Sequence, residues 1–157
     1  MTDTNREQNI QSKLESKFSF LKDKIKIRRE RRVFVDVEKL SDFRPVFDCL
    51  FKDLDFKRIC MITGLDEGDN FSFIYHLATF NGIELDLKTY TPKSNPNIKS
   101  IMDIFPGAEL YERELVDMFG VNVEGLPAGE RYPLPENWPQ GQHPLRKDWK
   151  KEMLEGK

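Results

Sequence analysis

At 157 residues, with 38% apolar and 33% charged side chains, the chain is long enough to bury one sizeable core and polar enough to carry a heavily charged surface. Its 25 basic and 27 acidic residues leave a formal net charge of -2, which gives no general attraction to nucleic acid or to anionic membrane. The two cysteines, Cys49 and Cys60, lack the paired spacing of a zinc or iron-sulfur site and are expected to be buried, reduced thiols.

The opening residues 1–7, MTDTNRE, hold no apolar signal core, and no window approaches the ~18 apolar residues of a membrane span. A soluble, cytoplasmic chain is expected. Ile10, Leu14, Phe18 and Leu21 recur at helical spacing and predict an amphipathic helix over residues 8–20. Ile25 and Ile27, then Val33, Val35 and Val37, alternate as two short strands across an Arg29-Glu30-Arg31 turn. The cations Lys24, Lys26 and Arg28 that alternate with the isoleucines read as a solvated strand face. Ser41 or Asp42 caps a helix whose Phe43, Val46, Phe47, Leu50, Phe51 and Leu54 follow the 3.6-residue repeat, the best core helix in the chain.

Strands are predicted over residues 57–63, 71–80 and 83–90, separated by the 66–70 turn and by Asn81-Gly82. Asn-Gly accommodates positive φ at two successive positions, so the second joint is read as a two-residue hairpin. Ile83, Leu85 and Leu87 oppose Glu84, Asp86 and Lys88, which buries one sheet face and wets the other. The fold class is therefore α+β, a mostly antiparallel sheet covered by helices. Asn95-Pro96 offers a cap and first residue for a helix over 98–105, and Pro106-Gly107 resets the chain. A further helix over 108–119 ends at Gly120 as a left-handed terminator. Beyond it Pro127, Pro133, Pro135, Pro139 and Pro144 punctuate a stretch with neither helical nor strand periodicity, which cannot make a core of its own. The expected organisation is an α+β domain over 1–121 and an extended Pro-rich, partner-binding C-terminal tail over 122–157.

On the 108–119 helix, Glu109, Arg113 and Asp117 fall at i, i+4 and i+8, so Arg113 is read as lying between two carboxylates. Tyr111, Leu115, Met118 and Phe119 share the apolar side. Glu112 and Glu114 lie ~200° apart around the helix, which does not suit a carboxylate pair acting on one bond. An exposed ladder of this kind contributes only a few tenths of a kcal/mol per pair. A solvated face, an interface and a catalytic or metal-binding cluster are the readings that the pattern allows, and no histidine is near enough in sequence to complete a metal site.

His76 reads as a surface or edge residue of a strand, and His143 as a loop residue. The sequence holds no nucleophile elbow, phosphate-cradling glycine loop or dinucleotide fingerprint, so no catalytic, cofactor-binding or metal-ligating residue is assigned. The remaining catalytic alternative is an independent acid-base enzyme using Glu112 or Asp117 with His143. Trp138 and Trp149, flanked by Arg131, Arg146, Lys147 and Asp148, are large apolar surfaces in unpatterned segments, and must pack on their own domain or on a partner.

The run DIFPGAELYERELVDMFGV, residues 103–121, with LPENWPQGQHPLRKDW, residues 134–149, resembles the 30 kDa subunit family of complex I and its relatives in membrane-bound nickel-iron hydrogenases. The resemblance implies a subunit of an oxidoreductase complex with no cofactor and no active site of its own. It implies a place in the cytoplasmic arm, against the large catalytic subunit and with a small iron-sulfur subunit among its partners, on the inner face of the cell membrane only through the complex. Glu112, Arg113, Glu114 and Asp117 would position the helix against the large subunit or brace the following loop. Arg131, Trp138, His143, Arg146, Lys147 and Asp148 would extend the contact.

In the quinone-reducing branch of the family the segment after the helix reads Gly-His-Pro-Asp-Leu-Arg-Arg. Residues 125–131 here read GLPAGER, in which the histidine, the aspartate and one arginine of that pattern are missing, leaving Pro127 and Arg131 in register. The resemblance thus points to the ferredoxin-linked, energy-converting hydrogenase branch, with an NADH- or F(420)H(2)-quinone-type dehydrogenase as the alternative. Truncation after Tyr132 is expected on this reading to leave a folded domain that has lost its partner.

Overall fold

The computed structural model describes residues 5–155; residues 1–4 of the opening stretch and 156–157 lie outside it. The chain forms two compact units, Met1–Thr63 with Phe73–Tyr90, and Gly64–Ser72 with Thr91–Lys157.

In the first unit, helix α1 (Asn5–Lys17) buries Ile10 and Leu14, and a single 3-10 turn (Ser19–Leu21) then sends Leu21 into the core. The predicted helix over 8–20 thus starts earlier and stops sooner. Strands β1 (Ile25–Arg29) and β2 (Arg32–Val37) pair antiparallel with Ile25 opposite Val35 and Ile27 opposite Val33. Arg31 turns the chain at φ 62, and its N–H donates to the buried Glu7 Oε1 at 2.7 Å.

Helix α2 (Leu40–Asp53) starts ahead of the expected cap, with Lys39 in the capping position and no side-chain cap bond. The Asp42 N–H already donates to the Lys39 carbonyl, so Ser41 and Asp42 lie inside the first turn rather than before it. The apolar stripe forms as its spacing demands: Phe43, Val46, Phe47 and Leu50 are buried, and the rings of Phe43 and Phe47 meet Tyr75 at 4.7 and 5.9 Å. Each such side chain contributes about 1.5–3 kcal/mol by leaving water.

Strands β3 (Arg58–Asp66), β4 (Asn70–Ala78) and β5 (Glu84–Pro92) complete a five-stranded, mainly antiparallel sheet in the order β1-β2-β5-β4-β3. Within this sheet β2 pairs in parallel with β5, Val33 opposite Leu85 and Val35 opposite Leu87. The alternation on β5 is as predicted, Leu85 and Leu87 buried and Glu84, Asp86 and Lys88 half-exposed. His76 lies on the wetter face, partnered on both sides: Nδ1 lies 2.7 Å from the Asp86 carboxylate and Nε2 3.0 Å from the Thr63 hydroxyl. Cys49 is buried as expected, but Cys60, on the edge strand β3, is exposed.

The joint between β4 and β5 is longer than the two-residue hairpin predicted. Thr79 N–H bonds the Ile83 carbonyl and Gly82 N–H bonds the Thr79 carbonyl, enclosing Phe80, Asn81 and Gly82, with Gly82 at φ 85. Asn81 does not take positive φ. The Thr79 hydroxyl accepts the Ile83 N–H at 3.1 Å, which favours the wider loop with a single left-handed glycine.

In the second unit, the helix expected over 98–105 is replaced by strand β6 (Asn97–Lys99) and tight turns. Asn95-Pro96 does not start a helix, and Ile98, Ile101 and Phe105 are buried from the strand and the turns instead. β6 pairs in parallel with β7 (Asn122–Glu124), Ile98 opposite Val123, and this non-local pairing outweighs local helical preference. A 3-10 turn (Pro106–Ala108) leads into α3 (Glu109–Phe119), which ends at Gly120 with φ 67 and ψ 36, as the sequence predicts. Leu115 and Phe119 are buried, and Phe119 meets the Phe71 ring edge-on at 5.5 Å. Residues 125–151 form neither helix nor strand, and a short helix, α4 (Glu152–Glu155), follows.

Candidate functional site

All the singled-out residues of α3 and of the Pro-rich segment belong to the second unit. The ladder Glu109-Arg113-Asp117 is not formed. Arg113 pairs with Glu109 at 2.8 Å, then reaches out of the helix to the carbonyls of Pro127 at 2.9 Å and Glu130 at 3.4 Å. The Arg113 side chain is only 12% exposed, so this is not the solvated face that a helical wheel suggests. Gly129 passes so close to its guanidinium that a Cβ there would collide with it.

Asp117, the other carboxylate offered to Arg113, is buried and turned towards the following segment. It accepts from Arg131 Nε at 3.3 Å and from the backbone N–H of Leu134 at 3.2 Å. Arg131 in turn donates to the Trp138 carbonyl at 2.6 Å. The Trp138 and Trp149 rings lie 6.2 Å apart, and Gln142 satisfies both indole N–H groups, Trp138 through its backbone carbonyl and Trp149 through its side-chain oxygen.

The C-terminal end of α3 presents carbonyls that have no partner within the helix. Residues from the Pro-rich segment supply donors to three of them: His143 Nδ1 to Asp117 O at 2.8 Å, Leu145 N to Met118 O at 3.2 Å, and Arg146 Nε to Phe119 O at 2.6 Å. Two cationic or dipolar groups at a helix C-terminus also complement its dipole. The Arg146 guanidinium lies 5.2 Å from the Phe71 ring centroid. Gly120 is required twice here, by its left-handed φ and because a Cβ would strike His143 and Arg146.

Two buried carboxylates organise the loops on either side. Glu112 is fully buried and accepts from Ser100 Oγ at 2.7 Å and Ile101 N–H at 2.8 Å. Burial pushes its carboxyl above the usual range, and those two bonds offset this in part. Asp66 accepts from Gly68 N–H, Lys93 Nζ and Lys147 N–H, at 2.9, 2.8 and 2.8 Å. Burial works against its charge, but the Lys93 and backbone bonds win and hold it at about 2. Lys93 also reaches Asp148 at 3.1 Å, a bond that lowers the Asp148 carboxyl.

The structure thus brings together Asp117, Arg131, Trp138, His143 and Arg146, and ties Lys147 and Asp148 to Asp66 and Lys93. Glu112 faces a different loop, and Glu114 is half-buried on the helix, apart from these bonds. The catalytic alternative has no geometry: His143 bonds the backbone carbonyl of Asp117, whose carboxylate is occupied by Arg131, while Glu112 is closed off from solvent. Asp66, Lys93, Ser100 and Gln142 are the residues that sequence reasoning missed. Only Asp66 carried a signal, since Asp-x-Gly is the pattern of an Asx turn, and its Oδ1 does accept the Gly68 N–H.

The model of the family described as respiratory-chain NADH dehydrogenase, 30 kDa subunit, matches residues 35–153, from the second half of β2 through β3, β4 and β5 to α3 and the segment held on it. The chain belongs to that family. An NADH-quinone oxidoreductase subunit from a Roseiflexus species is 40% identical over 93 residues, 59% of this chain and 52% of that protein. An F(420)H(2) dehydrogenase subunit from Methanosarcina mazei is 31% identical over 121 residues, 75% of this chain and 74% of that protein. The beta subunit of the membrane-bound hydrogenase of Pyrococcus furiosus is 38% identical over 89 residues, 54% of this chain and 51% of that protein. Among solved structures, the membrane-bound sulfane sulfur reductase, an archaeal respiratory membrane complex, contains a chain with a TM-score of 0.78 and 28% identity, covering 95% of this chain and 88% of that one. The chain spans about half the length of the first curated relatives that it matches, 52% of each.

Proposed function

We propose that the chain is a docking subunit, without an active site of its own, in the cytoplasmic arm of a membrane-bound, ferredoxin-linked energy-converting hydrogenase complex related to complex I. It docks on the large catalytic subunit, has a small iron-sulfur subunit as a further partner, and sits on the inner face of the cell membrane through the complex. The observation that carries this reading is the family match over residues 35–153. No helix among the described residues is long and apolar enough to cross a membrane, in keeping with peripheral attachment.

The geometry suggests how the site works as a docking surface. Glu112, Arg113, Asp117, Arg131, His143 and Arg146 spend their polar atoms on the chain itself, fixing the course of residues 125–149. Residues 125–149 of the proposed partner-binding tail are therefore held in place before they meet a partner, which reduces the ordering cost of binding. What it offers outward is Tyr132, Leu145 and the side chains of Lys147 and Asp148, with Trp138 and Trp149 half-exposed and Glu114 on the flank of α3. Exposed apolar groups beside arginine and tryptophan are the composition of an interface core.

The hydrogenase branch is favoured by the GLPAGER segment at 125–131, and the Pyrococcus furiosus beta subunit, 38% identical, is a relative of that kind, beside the 40% identity with the Roseiflexus NADH-quinone oxidoreductase subunit. The similarity to the Methanosarcina mazei protein over three quarters of both chains keeps a dehydrogenase of the NADH or F(420)H(2) type as the second reading. Native purification through a tag on this chain, followed by mass spectrometry and assays of hydrogen evolution and of NADH or F(420)H(2) oxidation, separates them. Hydrogen evolution with a co-purified large subunit bearing two Cys-x-x-Cys pairs is the expected result. Dehydrogenase activity without those cysteines selects the second reading, and a lone chain that turns over a small molecule rejects both.

A further inference from the structure

The five-stranded sheet ends in β1 on one side and β3 on the other, and the two edges are built differently. β1 is 5 residues long and exposes Lys26, Arg28 and Arg29, charges that discourage a further strand from adding. β3 is 9 residues long, and within the first unit, over residues 58–63, its exposed positions are Arg58, Cys60 and Met61, with Ile59 and Thr63 half-buried. Arg58 is the only charged residue in that stretch. Beside it, Phe80 is 73% exposed, and the Arg58 guanidinium stands 6.0 Å from its ring centroid. A long edge with apolar side chains and no internal lysine is the kind of edge that soluble proteins otherwise protect.

We propose that the outer edge of β3 over residues 58–63 pairs with an extended segment of a neighbouring subunit, apolar in its middle and carrying a carboxylate opposite Arg58. This rests on the docking-subunit reading above. Main-chain hydrogen bonds along the edge supply the attachment, while Met61, Ile59 and Phe80 supply apolar contact and Arg58 sets the register. A second copy of this chain is the poorer occupant, since residues 58–63 hold no acid to meet Arg58. An isolated pair of strands is marginal in water, so the added strand needs a tether. A neighbour already bound elsewhere on the chain provides one, by raising the effective concentration of its own segment.

Cys60 makes the edge directly readable, with the buried Cys49 as internal control. In the native complex, maleimide labelling of Cys60 is expected to be at least ~10-fold slower than in the full chain expressed alone. A thiol-directed photocrosslinker on Cys60 should join it to an extended segment of another subunit. Met61→Lys should leave the melting temperature of the free chain unchanged and restore Cys60 labelling within the complex. Equal labelling in complex and free chain, with no cross-link to another subunit, overturns the edge proposal and leaves the docking-subunit reading standing. A cross-link between two copies of this chain overturns it in favour of self-pairing. A chain that purifies without other subunits removes both readings together.

Discussion

Arg131 reaches back to Asp117, its Nε 3.3 Å from Oδ1, and takes the carboxylate that helical spacing offers to Arg113. The pair joins the last turn of α3 to a segment with no secondary structure of its own, and its consequences can be measured.

Asp117→Ala should loosen residues 125–140 before it unfolds the unit. The substitution strands the Arg131 guanidinium, 22% exposed, and leaves the Leu134 N–H without an acceptor. The expected cost is about 1–3 kcal/mol in denaturant titration, with faster proteolytic cleavage between Leu126 and Trp138. A stability and a cleavage pattern like those of the parent chain would remove the bracing role assigned to Asp117.

Asp66 predicts an acid limb. Its folded carboxyl is held at about 2, below the unfolded value of 3.8, so its contribution is fully present above the unfolded value and is lost as pH falls through about 2. The difference corresponds to about 2 kcal/mol. Asp66→Asn should therefore lower stability at pH 7 by about that much and flatten the stability curve between roughly pH 4 and pH 2. Parallel curves for the two proteins across that window would contradict the assignment.

Glu112 behaves in the opposite sense, because burial raises its carboxyl above the ordinary value. The folded state holds this proton more tightly, so the group's contribution grows as pH falls through its folded pKa towards the unfolded one, and is least above both. Glu112→Ala deprives Ser100 Oγ and Ile101 N–H of their acceptor in a fully buried place and should cost about 2–4 kcal/mol. Glu112→Gln keeps an oxygen for Ile101, so it should cost less and should abolish this part of the pH dependence. Thermal melts of the three proteins from pH 4 to pH 8 test the order.

Truncation after Tyr132 should destabilise the second unit as well as weaken partner binding. It removes His143, Leu145 and Arg146 from the carbonyls of Asp117, Met118 and Phe119, and it removes Lys147 N–H from Asp66. Sequence reasoning alone expects the shortened chain to fold unchanged. The geometry predicts instead a drop in melting temperature and faster amide exchange in α3. An unaltered melt would show that those end bonds contribute nothing measurable.

Where the chain's structure is local, the sequence shows it. The buried stripe of α2, the alternation of β5 and the Gly120 terminator each depend on residues within a few positions, and each is where the pattern puts it. The misread elements depend on distant partners. Ile98, Ile101 and Phe105 have helical spacing, yet β7 pairs with residues 97–99 from far along the chain. Asp117 has an arginine at helical spacing and another 14 residues away, and only the folded path of the segment decides for the second. The internal use of the charged residues is likewise hidden, since a helical wheel does not reveal that another segment covers the helix.

The capped end of α3 also bears on how the protein is made. The acceptors that His143 and Arg146 use are the free carbonyls of a finished helix terminus, so they exist only once α3 has formed and Gly120 has turned the chain. Arg146 lies 27 residues beyond Phe119, and during synthesis the helix end must stay wet until that much more polypeptide has left the ribosome. For that interval Phe71 and Phe119 lack the cover that Arg146 later gives to the Phe71 ring. Between the appearance of Gly120 and that of Arg146 the nascent chain is thus expected to be most open to a chaperone.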